Sequence, residues 1–186
     1  MSFGGWGSKN IGGIANISCK TGSSIVAFDI CCANQILNML ANRLGKDYDT
    51  DGEIASAGNV NKELLVKLNA IEFYSRTYPK ALDNSFSREI IFPVLEEFQI
   101  STEDKMRTYV EHVAIQIAEH IVMISKKEKT EFCSKEKILA TGGGAFNKFL
   151  VERIQSQTKM HLEIPSDETV KFKEALVIAF MGVLRM

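Results

Sequence analysis

Two glycine-rich turns contain the residue types that most readily bind a ligand. Residues 10–16 read Asn-Ile-Gly-Gly-Ile-Ala-Asn, and residues 141–147 read Thr-Gly-Gly-Gly-Ala-Phe-Asn. Bare backbone N–H groups can donate to phosphate oxygens, and a helix that starts after the second turn favours an anion at its N-terminus. The second turn has neither P-loop nor GxGxxG spacing. On local sequence alone, a β-bulge or close packing is the commoner reason for the first glycine pair, and a plain tight turn explains the second run equally well.

Carboxylates near the first turn offer a second kind of chemistry. Asp29 follows an apolar, β-branched run and precedes a helical pattern that begins at Asn34. A carboxylate there can bind a metal ion, orient water or accept from a ligand hydroxyl; alternatively, Asp29 or Asn34 only caps the helix. Asp47, Asp49 and Asp51 alternate as in the start of a calcium loop, but the glutamate that such a loop needs is absent. We therefore predict a solvated loop there.

The histidine and cysteine patterns indicate no metal or redox centre. The three histidines lack the spacing of metal ligands, and we expect ordinary surface or half-buried positions for them. They are His112, His120 and His161. The four cysteines form no CxxC pair, so we predict reduced thiols, as is typical of cytosolic proteins.

Composition predicts a single globular domain. The chain has 186 residues, of which 45% are hydrophobic and 24% charged, with a net charge of -1 and a pI near 6.3. This balance argues against broad nucleic-acid binding, which needs a basic surface. The apolar run Ala175–Leu184 is too short to span a bilayer. Residues 1–9, which we assign to a leader or to the remnant of a loop, lack the apolar core of a secretion signal. We therefore predict a cytoplasmic protein that binds neither membrane nor nucleic acid.

Hydrophobic periodicity predicts a β-hairpin, then helices, then a β-α-β-α segment. The predicted strands are 11–19, 25–30, 138–141 and 161–164, and the predicted helices are 34–44, 61–70, 103–125, 146–155 and 170–184. Residues 47–58 and 78–87 are predicted loops, and 88–98 is ambiguous because Pro93 interrupts it. A hairpin followed by a parallel crossover favours an α/β three-layer domain with a mixed sheet.

Six motifs, taken in order, resemble one family. They are residues 10–18, residues 28–34, Tyr48-Asp49-Thr50-Asp51-Gly52 with Ala55 and Gly58, Pro79-Lys80-Ala81-Leu82, residues 141–147, and Glu174-Ala175 with Phe180. Over nearly all of residues 10–185 they resemble the second half of the anhydro-N-acetylmuramic acid kinases. That family belongs to the actin, Hsp70 and sugar-kinase superfamily, whose members have two ribonuclease-H-like halves with ATP in the cleft. The resemblance implies that residues 10–186 form the C-terminal ribonuclease-H-like half.

The resemblance also implies an activity and a role for each matched position. The activity is ATP- and Mg²⁺-dependent opening and phosphorylation of 1,6-anhydro-N-acetylmuramic acid, a step of peptidoglycan recycling. Facing the nucleotide phosphates would be Gly12, Gly13 and Asn16. At the adenosine would lie Gly142, Gly143, Gly144 and Asn147. Lining the cleft would be Asp29, Asn34 and Glu174.

The departures from the family pattern limit what the chain is expected to do alone. The family's other phosphate loop and its water-activating Asp belong to the first half, so we assign no catalytic residue and no protein metal ligand here. Cys32 stands for a Pro, Ala81 for a Ser and Asp83 for a Gly. Phosphoryl transfer needs groups from both sides of the site, so we expect the chain to require the N-terminal half of the kinase. The alternatives are a non-catalytic nucleotide- or sugar-binding module, or an assembly partner that joins a separate first half or forms a homodimer through an apolar patch.

Overall fold

A five-stranded mixed sheet forms the centre of the computed structural model, which describes residues 7–21, 24–129 and 137–166. Its strands are β1 (Gly7–Ile11), β2 (Ile14–Thr21), β3 (Ser24–Cys32), β4 (Lys137–Thr141) and β5 (His161–Glu163), in the order β3-β2-β1-β4-β5. The pairs β1–β2 and β2–β3 are antiparallel, whereas β1–β4 and β4–β5 are parallel. The predicted mixed sheet, hairpin and parallel crossover are thus confirmed.

The first strand differs from the sequence prediction. Residues 11–19, predicted as one strand, divide at Gly12–Gly13 into the end of β1 and most of β2. Strand β1 begins at Gly7, so residues 7–9 of the predicted leader belong to the sheet. It lies between β2 and β4, which makes it the strand that joins the hairpin to the crossover.

Seven α-helices are described. They are α1 (Asn34–Arg43), α2 (Glu53–Ala57), α3 (Lys62–Asn69), α4 (Glu72–Ser75), α5 (Phe92–Glu96), α6 (Thr102–Glu128) and α7 (Lys148–Thr158). Side chains cap three of them: Asn61, Ser101 and Asn147 accept from the backbone N–H three residues ahead at 2.9, 3.1 and 2.9 Å. These caps satisfy N–H groups that the helix leaves unpaired. The predicted helix 170–184, with Glu174, lies outside the described residues.

Two segments predicted as irregular contain helix. Residues 47–58, predicted as a solvated loop, hold a 3₁₀ turn at Thr50–Gly52 followed by α2. The ambiguous segment 88–98 forms a π-helical turn, Ser87–Ile91, that runs into α5 with Pro93 near its start.

Helix α6 is the main support of the sheet. It packs against β3 and against α1, α2, α3 and α7. Its buried Glu111 accepts from Arg153 Nε and Nη2, each at 2.9 Å, and from Gln157 Nε2. Burial alone would raise the pKa of Glu111, but these hydrogen bonds hold it below its usual value. The charged pair therefore fixes α7, and with it the turn that precedes α7, against the core.

Two histidines of α6 lie in the core, so the expectation of surface or half-buried positions is wrong for them. His112 and His120 are both 0% exposed. His112 Nδ1 lies 2.6 Å from Asn69 Oδ1, which also accepts from Gln116 Nε2 at 3.1 Å. Burial lowers the pKa of His112 to about 3, so the ring is neutral in the folded protein at neutral pH.

We expect His112 to make the fold sensitive to acid. Its folded pKa lies below the unfolded value, so the unfolded chain binds the extra proton and the free energy of unfolding falls as pH drops through 6.5. The contribution should be about 2 kcal/mol less at pH 5 than at pH 7. Urea unfolding at both pH values should show a smaller pH difference in His112→Leu than in the wild type. The exposed-site control His161→Leu should retain the wild-type difference, and equal pH differences in all three proteins would contradict this role.

Candidate functional site

The Gly12–Gly13 turn is bonded to the start of α1. Gly13 O accepts from Ala33 N at 2.8 Å and from Gln35 N at 3.2 Å, and Gly12 O accepts from Asn34 N at 3.2 Å. A Cβ on Gly13 would lie 3.0 Å from Gln35 Cγ, whereas one on Gly12 would meet nothing closer than 3.6 Å. Packing therefore favours glycine at Gly13. It does not require glycine at Gly12, where another cause, such as the close approach of a ligand, would explain the residue.

Two glycines of the triple-glycine turn pack closely against the end of β1. Gly142 has φ +86°, which side chains rarely adopt, and a Cβ there would lie 2.8 Å from Ile11 O. A Cβ on Gly144 would also lie 2.8 Å from Ile11 O and would overlap the Ile11 side chain. Gly143 is exposed, and its Cβ would meet only Asn34 Nδ2, at 3.5 Å. Packing thus accounts for Gly142 and Gly144, while Gly143 presents open backbone.

Asn147 joins this turn to α7. The residue is 8% exposed, and its Oδ1 accepts from Leu150 N at 2.9 Å. Its side chain also lies against Gly52, where an added Cβ would clash with both Asn147 and Phe149. Asn147 therefore holds the helix start close to the 50–52 turn, and its amide remains on the wall of the cavity described next.

A cavity of about 500 Å³ lies where these elements meet. Three predicted site residues line it: Asn34, Gly143 and Asn147. The rest of its wall is Leu37, Asn38, Tyr48, Asp49, Thr50, Asp51 and Phe146. This volume is typical of a small-molecule site, and the mixture of apolar and amide side chains is the usual lining of one.

Asp49 and Asp51 shape one side of this cavity. Asp49 is 5% exposed, and its two carboxylate oxygens accept from Ile54 N at 2.8 Å and Ala55 N at 3.1 Å. The expectation of a solvated loop is wrong for Asp49, because these bonds satisfy the first turn of α2. Lys148, which directly follows the lining residue Asn147, donates from Nζ to Asp51 Oδ2 at 2.8 Å, and this bond raises the pKa of Lys148.

Neither Asp29 nor Asn34 caps α1, so the capping alternative is wrong. Ala33 is the N-cap residue, without a side-chain bond. Asp29 lies in β3 opposite Asn16. Its N–H donates to Lys80 O at 3.1 Å, and its Oδ2 accepts from Leu82 N at 3.0 Å. The Asp29 carboxylate thereby fixes the Pro79–Leu82 loop beside the sheet.

Lys80 fixes the same loop from its other side. Its Nζ donates to Phe73 O at 2.9 Å, lies 4.5 Å from the centre of the Phe73 ring, and contacts His120 Nε2 at 2.7 Å. His120 Nδ1 lies 2.7 Å from Gln116 O, so Nδ1 carries the ring proton and Nε2 accepts from the lysine. Burial lowers the pKa of Lys80 to about 8. The amine therefore holds the loop in place and does not reach the cavity wall.

The described residues thus bring together only part of the predicted site. Gly12 and Gly13 adjoin the cavity through Asn34, whereas Asn16 and Asp29 lie in the neighbouring strands and are not among its lining residues. Sequence reasoning gave no role to the wall residues Asn38, Tyr48 and Phe146: Tyr48 and Phe146 lie within matched motifs, whereas Asn38 belongs to none. In the part of the chain that is described, no three His, Cys, Asp or Glu side chains converge on a metal position, and no helix has the length and apolarity to cross a membrane.

The chain is similar to one family over most of its length. A family model described as anhydro-N-acetylmuramic acid kinase matches residues 7–186. An anhydro-N-acetylmuramic acid kinase of Shewanella sp. (strain MR-4) is 32% identical over 177 residues, which cover 92% of this chain and 46% of that protein. One of Caldanaerobacter subterraneus subsp. tengcongensis is 31% identical, over 94% of this chain and 46% of that protein. The chain therefore spans a little under half the length of these relatives.

A solved structure shares the fold at low sequence identity. It is the activator of the 2-hydroxyisocaproyl-CoA dehydratase from Clostridium difficile with bound ADPNP, with a TM-score of 0.51 and 16% identity, covering 89% of this chain and 56% of that one. At this identity the likeness concerns the fold alone, and it confirms the predicted ribonuclease-H-like α/β class.

Proposed function

The chain belongs to the anhydro-N-acetylmuramic acid kinase family, and on that premise we propose that it is the nucleotide-binding C-terminal half of an ATP-dependent sugar kinase. The reaction adds water across the 1,6-anhydro bond of anhydro-N-acetylmuramic acid and transfers the γ-phosphoryl group of ATP to the freed 6-hydroxyl. The products are ADP and N-acetylmuramic acid 6-phosphate. We place this reaction in the cytoplasm, as a step of cell-wall recycling.

The cavity is the observation that carries this proposal. It joins Asn34, from the motif that follows β3, to Gly143 and Asn147, from the motif that follows β4. These motifs are more than a hundred residues apart in the chain, and the parallel pairing of β1 with β4 brings them together. Its volume of about 500 Å³ suits an adenosine, and the exposed backbone of Gly143 allows a flat ring to approach closely.

The phosphate chain would then extend from the cavity toward the Gly12–Gly13 turn. Asn34 supports this direction, because it lines the cavity with its side chain and donates its N–H to Gly12 O. Asn16 and Asp29 supply an amide and a carboxylate on paired positions of β2 and β3. Oxygen donors of this kind suit a Mg²⁺ ion that is held mainly by phosphates and water.

Within the complete site, this chain would bind and orient the nucleotide, and it would not supply the catalytic base. ATP supplies the phosphoryl group, and bound Mg²⁺ neutralises its charge. Asp29 and Lys80 keep the Pro79–Leu82 loop in place. The water-activating carboxylate and the opposite phosphate loop would come from the N-terminal half. Since transfer depends on groups from both walls, the 186 residues alone should bind nucleotide weakly and turn over nothing measurable.

The test is ATP- and Mg²⁺-dependent phosphorylation of 1,6-anhydro-N-acetylmuramic acid. We expect no product from the 186-residue chain, and product when the chain is joined to, or mixed with, the first half of a full-length relative. Gly143→Trp in the joined protein should abolish product by filling the cavity. Product from the chain alone would show that the base lies within these residues.

The second candidate function is a non-catalytic binding module. Ala81 and Asp83 favour it, because they replace the Ser and Gly of the family's Pro-Lys loop. In that case the chain would bind nucleotide or sugar, and the joined protein would give no product. If these two positions alone caused the loss of activity, substituting Ala81→Ser and Asp83→Gly in the joined protein should restore turnover.

A further inference from the structure

Asp51 adopts a backbone conformation that local stability does not explain. Its φ is +54°, in the left-handed region, which aspartate enters more readily than most residues but still at an energetic cost. The residue lies on the cavity wall and is partly buried. Strained residues that persist in a fold cluster at ligand-binding sites.

Lys148 is also unfavourably placed for its own helix. It is the first residue of α7, where the positive end of the helix dipole opposes a cation. Its side chain is 81% exposed and that of Asp51 is 39% exposed, and an ion pair so open to water stabilises a fold very little. The bond between Asp51 and Lys148 therefore does not offset the energetic costs of the Asp51 backbone conformation and of the Lys148 position. This points to a role of the pair in binding a ligand.

The pair presents both kinds of hydrogen-bonding group beside the cavity, since Asp51 lines it and Lys148 is bonded to Asp51. Lys148 Nζ donates to Asp51 Oδ2, and among the described residues none donates to Oδ1. An ammonium carries three N–H donors and a carboxylate only acceptors. Two adjacent hydroxyls match this arrangement, since each can donate and accept. A phosphate would be repelled by the negative charge of the Asp51 carboxylate, and an apolar ring would leave both polar groups without a hydrogen-bond partner.

We propose that Asp51 and Lys148 recognise the ribose hydroxyls of the nucleotide, with Asp51 Oδ1 accepting from one hydroxyl and Lys148 Nζ donating to the adjacent one. This inference rests on the proposed nucleotide-binding function of the cavity. It assigns selectivity for ribonucleotides that carry both hydroxyls to this ion pair.

Isothermal titration of the 186-residue chain with ATP and with 2′,3′-dideoxy-ATP, each with Mg²⁺, tests the inference. We expect the wild type to bind the dideoxynucleotide at least about tenfold more weakly, because two hydrogen bonds to charged groups are lost. Asp51→Gly keeps the left-handed backbone because glycine adopts it freely. This variant should bind ATP more weakly than the wild type does but more tightly than it binds the dideoxynucleotide, because Lys148 still donates to one hydroxyl, and the affinity for the dideoxynucleotide should not change.

Asp47→Gly is the matched control, since Asp47 is exposed in the same segment and does not line the cavity. It should keep the wild-type selectivity, whereas Lys148→Gln should reduce it. Measurable ATP binding with equal affinity for the dideoxynucleotide in the wild type would overturn the role of the pair and leave the nucleotide site standing. Equal weakening of both nucleotides by Asp51→Gly would overturn it too. Binding of neither nucleotide, both to the 186-residue chain and to the chain joined to the first half of a relative, would overturn the proposed function, and this inference with it.

Discussion

Alanine at Gly144 should strongly destabilise the chain, whereas alanine at the adjacent Gly143 should leave its stability almost unchanged. The added methyl at Gly144 would overlap the Ile11 side chain and lie 2.8 Å from Ile11 O. Ile11 is fully buried at the end of β1, so neither side can move without disturbing the sheet. Overpacking of this kind costs about 3 kcal/mol. At Gly143 the methyl would meet only Asn34 Nδ2, at 3.5 Å, which is an ordinary contact.

Urea unfolding of the two variants measures this contrast. Equal unfolding free energies for Gly144→Ala and Gly143→Ala would show that the turn does not press on β1 as described. The same proteins also separate stability from binding. Gly143→Ala should fold normally and bind ATP about tenfold more weakly, because a methyl group there would hold a ligand away from the backbone. Unchanged ATP affinity in this variant would place the nucleotide elsewhere.

The position of the glycine turns could be predicted from sequence, but the reason for each glycine could not. Three glycines after a short apolar strand indicate a tight turn wherever they occur. Gly142 and Gly144 are required because β4 pairs in parallel with β1, and that pairing joins residues 7–10 to residues 138–141. The first three residues of β1, residues 7–9, were assigned to a leader because this glycine-containing segment has no apolar period.

Polar residues in the core show the same limit. The predicted helices 61–70 and 103–125 were placed correctly, because a helix start and its cap, here Asn61 and Ser101, depend on neighbours in the chain. His112 and His120 were not, because their burial depends on partners such as Asn69 and Lys80, at least forty residues away. The apolar stripe of α6 predicts the face that is buried, but α6 has helices on several sides and buries more than that stripe.

The 47–58 segment is the clearest case in which charged residues lead to a wrong prediction of solvent exposure. Three aspartates within five residues suggest solvent, yet the middle one is 5% exposed. Each carboxylate oxygen of Asp49 accepts a backbone N–H of α2, and such bonds stabilise a buried carboxylate. The same residue lines the cavity, so its structural role and the shape of the candidate site are linked.

Asp49→Ala should therefore lower both stability and nucleotide affinity. Removing the carboxylate leaves the N–H groups of Ile54 and Ala55 without their acceptors, and we expect a loss of about 2–3 kcal/mol in the free energy of unfolding. Asp49→Asn keeps one acceptor oxygen and should lose roughly half as much. The exposed neighbour provides the control, since Asp47→Ala should change the free energy of unfolding by less than about 0.5 kcal/mol.

Urea unfolding ranks the three variants, and titration with ATP gives the second readout. Because Asp49, Thr50 and Asp51 form one side of the cavity, loosening α2 should widen it and weaken ATP binding even where the protein remains folded. If Asp49→Ala were as stable as Asp47→Ala, the two backbone bonds would not be supporting α2. If it were less stable but bound ATP with wild-type affinity, the segment would support the fold alone and the nucleotide would not contact this wall.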